Sequence, residues 1–294
     1  MSKILDAITK AGAAHTELIR TVADVKDAST APAPGPTEPP AAGASPAAGV
    51  RTARLRVAAG SPLLPFEEGQ WRPSEQYRIL RTKLGQHPKQ PRMIVISSPA
   101  PGDGKSVTAI NTAATLSLKS DSQVLLVDAD LRKPAIHRQL GLEESPGLTE
   151  VLTGDCAVEE ALIRTAEFPS LFVLPAGVPP SNPVELLDSP NWPAVCARLR
   201  SLFRYVIVDS PPLGAVADYD LIQAVCDGMI LVVRPDHTNR ELCDKALKII
   251  PKAKFLGVLL NCVPDWSLGK HAGSDYYYYS GEKRYQRPQE KAGA

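Results

Sequence analysis

Six short apolar runs, rich in Val, Ile and Leu, recur along the middle of the chain, and helix-length segments separate most of them. The runs lie at residues 93–97, 124–128, 171–175, 205–209, 228–233 and 255–261. Each run is continuously apolar rather than alternating, which indicates a strand that is buried on both faces. Strands of this kind form mostly parallel sheets, so the pattern predicts an α/β fold with helices on both faces of the sheet.

The two ends of the chain do not share this pattern. In residues 1–25 apolar side chains recur in steps of four and three, which predicts an amphipathic, coiled-coil-like helix that pairs with itself or docks on a partner. Pro, Ala and Gly dominate residues 26–62 and bury too little surface to offset the entropy of ordering, so we predict a disordered linker there. We assign residues 63–270 to a globular domain and the polar residues 271–294 to a flexible tail.

The bulk composition argues against several classes of protein. The formal net charge of the 294 residues is +1, so nothing in it favours a nucleic-acid partner. The five cysteines are scattered and form no C-x-x-C pair, which fits a reducing compartment. No apolar stretch approaches the roughly 20 residues that cross a bilayer, and the start of the chain lacks the apolar core of a signal peptide. We therefore expect a cytoplasmic protein.

A glycine-containing loop separates the first apolar run from a helical pattern, in the segment SSPAPGDGKSVTAIN. Gly102 and Gly104 allow positive φ angles and a close approach of the backbone to an anion. The N–H groups of such a loop cradle phosphates, while Lys105 would reach the β- and γ-phosphates and Ser106 would hold Mg²⁺. Pro99 stands where the standard pattern has its first glycine. The residues expected to bind ATP are Gly102, Asp103, Gly104, Lys105, Ser106 and Val107.

Carboxylates follow two other apolar runs. Asp128 ends the run at 124–128 and Asp130 follows two residues later, while Asp209 ends the run at 205–209. Ligands of open α/β sheets bind at the carboxyl ends of the strands, so the three carboxylates would face the same nucleotide. A strand-terminal Asp also caps loops and helices, but three of them beside a phosphate loop favour a P-loop NTPase-type fold. The residues expected to arrange Mg²⁺ are Ser106, Asp130 and Asp209.

Two classes of P-loop protein fit these motifs. The partitioning and division-site ATPases carry K-G-G-x-G-K, but Ala100 replaces their signature lysine in the segment APGDGK. From about residue 70 to 285 the sequence instead resembles the bacterial tyrosine kinases, the autokinases of capsule and exopolysaccharide synthesis. PGDGKS is similar to their phosphate loop, LLVDADLRKP to their second acidic motif and VIVDSPP to their Walker B strand. LLVDADLRKP is the most specific of these matches.

The segment SEQYRILRTKL carries an E-x-x-R-x-x-R pattern, formed by Glu75, Arg78 and Arg81. Residues with this spacing lie along one side of a helix, and the spacing alone favours a solvated charged face. The pattern is also similar to the ring-forming motif of the tyrosine kinases. The resemblance therefore implies a homo-oligomer, with a ring as its expected form and these three residues at the subunit interface.

The tail segment YYYYSGEKRY resembles the tyrosine cluster of the same family. Four consecutive tyrosines cannot all face one core, because neither a helix nor a strand points four adjacent side chains the same way. A sticky, low-complexity tail is the alternative, but a nearby ATP site favours phosphoacceptors. The expected acceptors are Tyr276, Tyr277, Tyr278, Tyr279 and Tyr285.

The resemblance implies that the γ-phosphoryl group of ATP passes to a tyrosine of a neighbouring subunit. Lys105, Asp128, Asp130 and Asp209 would be the catalytic residues, with Asp128 accepting the tyrosine proton and Asp130 assisting the metal or the nucleophile. It also implies a separate membrane-embedded activator that recruits the kinase to the inner face of the membrane. The alternatives are a P-loop ATPase switch without tyrosine chemistry and a scaffold that binds nucleotide without turnover.

Overall fold

The computed structural model of the chain describes residues 50–59, 61–63, 71–119, 122–214 and 217–263. These residues contain one eight-stranded sheet with helices packed on both of its faces. The strands are β1 (Arg51–Ala53), β2 (Met93–Ser97), β3 (Val124–Asp128), β4 (Ile163–Thr165), β5 (Leu171–Leu174), β6 (Tyr205–Asp209), β7 (Gly228–Val233) and β8 (Phe255–Leu260). Their order across the sheet is β1-β4-β5-β3-β6-β2-β7-β8.

The helices of the described residues vary in length from one turn to four. They are α1 (Trp71–Gly85), α2 (Lys105–Ser117), α3 (Ile136–Leu140), α4 (Leu148–Thr153), α5 (Val158–Ala161), α6 (Pro183–Asp188), α7 (Asn191–Leu202), α8 (Asp218–Ala224) and α9 (Arg240–Ile249). The longest buried helix, α2, follows β2 directly after the phosphate loop. It contains many small residues, including Ala109, Ala113 and Ala114, which let it lie close against the sheet.

All six apolar runs form strands, and the prediction of a mostly parallel sheet with helices on both faces is confirmed. Five pairs of neighbouring strands among β5, β3, β6, β2, β7 and β8 are parallel. In β2, Met93 and Val95 pack into one core while Ile94 and Ile96 pack into the other. Strand side chains alternate between the two faces, so continuous apolar runs are what a sheet covered on both sides requires.

The linker prediction is wrong at its carboxyl-terminal end. Arg51–Ala53 lies within residues 26–62, yet it forms β1 and pairs in parallel with β4. Leu55 and Val57 then pack against the core that contains α2. β4 in turn pairs antiparallel with β5, so β1 and β4 reverse direction relative to the other strands. Each of these two strands has only three residues, and neither forms an apolar run that periodicity could detect.

Several sequence predictions fall outside the described residues. They concern the helix at 1–25, most of the linker and the tail from 271 onward. The compact unit that holds the sheet ends at Asn261, before the predicted domain boundary at 270. Within the described ranges, no helix is both long enough and apolar enough to cross a membrane.

Candidate active site

The phosphate loop connects β2 to α2 through two left-handed glycines. Gly102 has φ of 86° and Gly104 has φ of 95°, a region that favours glycine over residues with a Cβ atom. Gly104 is the N-cap of α2, and a Cβ atom on it would collide with the side-chain amide of Asn261. The two glycines therefore have the positive φ angles that the sequence predicts, and they let the loop turn onto the helix N-terminus.

Asp103 braces this loop from inside the protein. Its carboxylate accepts hydrogen bonds from the Ala100 N–H at 3.0 Å and the Thr238 hydroxyl at 2.8 Å, and it lies 3.0 Å from Nδ1 of His237. Asn261 Nδ2 donates to the Asp103 carbonyl at 2.9 Å. Asp103 is fully buried, so its side chain shapes the loop, and only its backbone is placed to contact a nucleotide.

The partners of Asp103 were missed by sequence reasoning. His237 and Thr238 follow β7, and Asn261 follows β8, so all three leave the sheet at the edge where the phosphate loop lies. Their positions at the carboxyl ends of parallel strands were the available signal.

We predict that Asp103→Asn weakens ATP binding about tenfold, because the amide cannot accept from all of its present donors and a buried hydrogen bond is lost. Asp236→Asn is the matched control, since Asp236 is exposed and has a φ of 59° that Asn tolerates. Binding of a fluorescent ATP analogue measures both variants. Equal affinities for the two would contradict the bracing role.

Lys105 lies between carboxylates from two strands. Its Nζ atom is 2.9 Å from Asp130 Oδ2 and 3.5 Å from Asp209 Oδ1. Burial by itself lowers the pKa of Lys105, but the nearby charges of Asp209 and Asp130 raise it above its ordinary value. The side chain is 13% exposed, so a permanently charged ammonium is held in a largely dry site.

The Ser106 hydroxyl donates a hydrogen bond of 2.5 Å to Asp209 Oδ2. Asp209 is fully buried, and this burial raises the pKa of its carboxyl group. Hydroxyl and carboxylate oxygens are suitable ligands for Mg²⁺, which usually keeps several waters and binds nucleotide phosphates. Among the described residues no group of three or more His, Cys, Asp or Glu side chains forms a metal cage. The oxygens of Ser106, Asp130 and Asp209 are thus chemically suited to hold Mg²⁺.

Asp128 is the register partner of Asp209 on the neighbouring strand, and it is fully buried. Its Oδ2 atom accepts from the N–H groups of Ala135 and Ile136, both at 3.0 Å. Oδ1 accepts a longer bond of 3.3 Å from the Asp130 N–H. Burial, together with the charge of Asp209, raises the pKa of Asp128 to about 7. Oδ2 of Asp128 thus caps the start of α3, as a strand-terminal Asp often does, while Oδ1 accepts only one long hydrogen bond.

A second contact that the sequence did not reveal joins the loop after β3 to α8. The Arg132 guanidinium donates to both carboxylate oxygens of Asp218, at 2.8 and 2.9 Å. The Asp218 side chain is 1% exposed, whereas Arg132 is 40% exposed. Paired parallel hydrogen bonds of this kind fix geometry as well as charge. The ion pair therefore holds the acidic motif of β3 against the segment that follows β6.

The predicted interface residues are divided between two environments. Arg78 Nη1 lies 3.3 Å from Glu75 Oε2, and both side chains are about half exposed on α1. Arg81 instead donates to the Thr115 carbonyl of α2 at 3.3 Å. Glu75 and Arg78 are accessible to another subunit, while Arg81 contacts its own chain. The predicted acceptor tyrosines lie outside the described residues.

The sheet, the phosphate loop and the carboxylates of β3 and β6 define a P-loop NTPase-type protein, and residues 91–254 match the family described as AAA domain. Tyrosine-protein kinase YwqD of Bacillus subtilis (strain 168) is 37% identical over 218 residues, covering 73% of this chain and 89% of that relative. The crystal structure of the chimerical protein CapA2B2 matches with a TM-score of 0.65 at 32% identity, covering 72% of this chain and 93% of that one.

The chain belongs to the bacterial tyrosine kinases, as the sequence resemblance predicted, and it is a protein-tyrosine kinase rather than a partitioning ATPase. Longer relatives also exist. Tyrosine-protein kinase ptk of Acinetobacter johnsonii is 36% identical over 179 residues, which are 60% of this chain but 24% of that relative. In that relative the shared region is a minor part of a longer protein.

Proposed function

We propose that the chain transfers the γ-phosphoryl group of ATP to the tyrosines of its own tail, acting on a neighbouring subunit within an oligomer. The observation that carries the proposal is the position of Lys105, held 2.9 Å from Asp130 and 3.5 Å from Asp209 at the mouth of the phosphate loop. Lys105 is the first residue of α2, so this cation stands at the helix N-terminus where a phosphate would bind. Phosphoryl transfer depends chiefly on such positioning and charge neutralisation.

The residues around the loop have separable tasks. Backbone N–H groups at Gly102 and Gly104 and at the start of α2 bind the phosphates, and Lys105 neutralises the group in transfer. Ser106, Asp130 and Asp209 would hold Mg²⁺, which when bound supplies charge neutralisation at the phosphate oxygens. The braced carboxylate of Asp103 keeps the loop in its phosphate-binding shape.

Asp128 is the residue we assign to the tyrosine proton. Its Oδ1 atom has one long hydrogen bond of 3.3 Å, so that oxygen retains the capacity to accept a proton. A pKa raised to about 7 suits a base that works near neutral pH. Asp128 is fully buried in the described residues, so the tyrosine must gain access to it when the tail and the nucleotide bind.

Incubation of the purified chain with ATP and Mg²⁺ tests the proposed function. We expect phosphate on tyrosine, and we expect Tyr→Phe replacement at the cluster to remove most of it without changing ATP binding. The replaced residues are Tyr276, Tyr277, Tyr278, Tyr279 and Tyr285. Phosphopeptide mass spectrometry measures the result. Phosphate found mainly elsewhere would contradict the acceptor assignment, and phosphate release without phosphotyrosine would favour an ATPase switch.

The oligomer is tested by Glu75→Ala combined with Arg78→Ala. An exposed pair of this kind adds little to folding, so we expect a smaller assembly with unchanged thermal unfolding. Arg198→Ala with Glu159→Ala is the matched control, because this exposed pair lies 2.7 Å apart elsewhere on the surface. Size-exclusion light scattering measures both. An unchanged subunit count in the Glu75/Arg78 variant would return these residues to an ordinary charged face.

The biological setting rests on the family resemblance. It supports a role in regulating exopolysaccharide or capsule synthesis, and a separate membrane-embedded activator that brings the kinase to the inner face of the membrane. Co-expression with such an activator should raise the phosphotyrosine content of this chain. Unchanged phosphorylation would argue against a partner of this kind.

A further inference from the structure

A cleft of about 320 Å³ lies at the free edge of the sheet, where β1 faces the loop that follows α3. Arg51, Arg54 and Arg56 line it from the side of β1, and Leu142 and Glu143 line it from the loop. Three arginines and one glutamate thus line the same cleft, with Arg51 half-buried and Arg54 and Arg56 exposed. The cleft is separate from the phosphate loop and has no part in the chemistry proposed above.

The backbone holds the two walls of this cleft together. The Arg56 N–H donates to the Leu140 carbonyl at 2.8 Å, which ties β1 to the end of α3. Gly141 has a φ of 64°, and a Cβ atom there would meet Arg56 Cβ at 2.5 Å. A residue larger than glycine would therefore push the walls apart. The position of the arginines is set by close packing of the backbone and not by side chains alone.

Two N–H groups of Arg51 at this cleft have no hydrogen-bond acceptor among the described residues. One of its terminal nitrogens, Nη1, pairs with Glu143. Its Nε and Nη2 atoms are buried and have no hydrogen-bond partner among the described residues. Buried donors without acceptors are costly, and most native structures avoid them. An anion with several oxygens would supply acceptors to Arg51 and would balance the excess positive charge of Arg54 and Arg56.

A phosphate group matches this arrangement best. Guanidinium groups bind phosphate through paired N–H···O bonds, and a phosphotyrosine carries about −1.5 to −2 charges with three acceptor oxygens. The proposed reaction produces this group on the tail of the same chain. Charge complementarity therefore selects a phosphorylated tail over an unmodified one.

The sheet register separates the cleft from the catalytic carboxylates. Arg51 aligns with Ile163, Ile163 with Val173, and Val173 with Leu126, two residues before Asp128. Three interstrand spacings, about 14 Å across the sheet, lie between β1 and β3. Because β1 runs antiparallel to β3, Arg54 and Arg56 lie farther from Asp128 along the strand axis than Arg51 does. A phosphate in the cleft therefore leaves the catalytic carboxylates free.

We propose that the Arg51–Arg54–Arg56 cleft is a phosphotyrosine-binding site for the tail of this chain, from its own or a neighbouring subunit. A tail that has gained its first phosphate is then retained on the kinase for the next transfer. This inference rests on the proposed function, since the kinase must supply the phosphate. The site itself can be tested without any catalytic turnover.

The test uses a synthetic peptide of residues 272–287 with phosphate on Tyr279, and the same peptide without phosphate. Both are titrated by fluorescence anisotropy into the full chain whose five cluster tyrosines are Phe, so that its own tail carries no phosphate. We expect the phosphopeptide to bind at least about tenfold more tightly than the unmodified peptide. Inorganic phosphate is titrated as a competitor, and we expect it to compete only at much higher concentration.

Arg51→Gln, Arg54→Gln and Arg56→Gln together should reduce phosphopeptide affinity about tenfold or more. Arg138→Gln is the matched control, because Arg138 is exposed on α3 but does not line the cleft, and it should leave the affinity unchanged. If the triple variant is unstable, Arg54→Gln with Arg56→Gln keeps the Arg51–Glu143 pair and should still weaken binding. Equal binding of the two peptides, or undiminished binding by a folded variant, would overturn the proposal.

Free phosphate that bound as tightly as the phosphopeptide would also overturn it, by showing a general anion site. Failure of the proposed function has a different signature. In that case wild-type protein incubated with ATP would carry no phosphotyrosine, whatever the synthetic peptide does.

Discussion

Lys105→Met is expected to lower the rate of tyrosine phosphorylation about 10³-fold or more. The substitution removes the charge that neutralises the transferred phosphoryl group while keeping a side chain of similar reach. It also leaves Asp130 and Asp209 without the cation that lies 2.9 and 3.5 Å away, so repulsion between these carboxylates and the triphosphate increases. We therefore expect weaker ATP binding together with the loss of transfer. Phosphotyrosine formation over time, measured by quantitative mass spectrometry, gives the rate.

Lys248→Met is the matched control. Lys248 is exposed on α9, outside every motif of the site, and its side chain has no hydrogen bond among those of the described residues. It should retain nearly the full rate. Because loss of a buried cation also destabilises its carboxylate partners, thermal unfolding of Lys105→Met is measured in parallel and activity is compared where both variants are folded. Wild-type phosphotyrosine formation by folded Lys105→Met protein would show that the phosphate-loop assignment is wrong.

The sequence was sufficient for the sheet interior but not for its edge. Continuous apolar runs mark β2, β3, β5, β6, β7 and β8 because those strands are covered on both faces. β1 and β4 are short, and their sequences, Arg51-Thr52-Ala53 and Ile163-Arg164-Thr165, are held by pairing with neighbours rather than by apolar content. Backbone pairing between segments 112 residues apart leaves no periodic trace in the sequence. The folded domain consequently begins earlier than composition predicts, at β1.

In the candidate site, too, the sequence predicts the motif residues but not the contacts between distant segments. Motif spacing located Lys105, Ser106, Asp130 and Asp209, and the structure brings these four residues together. Spacing could not show that Asp103 faces inward or that Arg132 pairs with Asp218, 86 residues away. Contacts of this kind depend on which loops meet at the edge of the sheet. The order of the strands in the sheet determines which loops are neighbours, and residue spacing in the sequence does not give that order.

Asp128→Asn is expected to separate catalysis from stability. Asn cannot take up the tyrosine proton, and loss of a positioned base typically lowers the rate by about 10² to 10⁴-fold. In the wild type the rate should rise with pH and level off above about 7, because the base must be ionised and its pKa is raised to about 7. The pH profile of phosphotyrosine formation measures this, and a flat profile between pH 6 and 8 would contradict Asp128 as the base.

The same pKa shift gives the stability effect its sign. From the ordinary value of 3.8 up to about 7, folded Asp128 keeps a proton that the unfolded chain has lost. The contribution of this group to stability therefore falls as pH rises through that window, and the full penalty of a buried charge is present above it.

Asn carries no charge and its carbonyl still accepts from the Ala135 and Ile136 N–H groups. At pH 8 the Asn variant should unfold at a higher temperature than the wild type, with a difference that shrinks toward pH 5. The exposed Asp188→Asn should show neither the loss of activity nor this pH-dependent gain. Scanning calorimetry at pH 5 and pH 8 measures the unfolding temperatures. The opposite trend would contradict the raised pKa. If the unfolding temperature of the Asn variant relative to wild type were lower at pH 8 than at pH 5, the fold would stabilise the ionised Asp128 carboxylate.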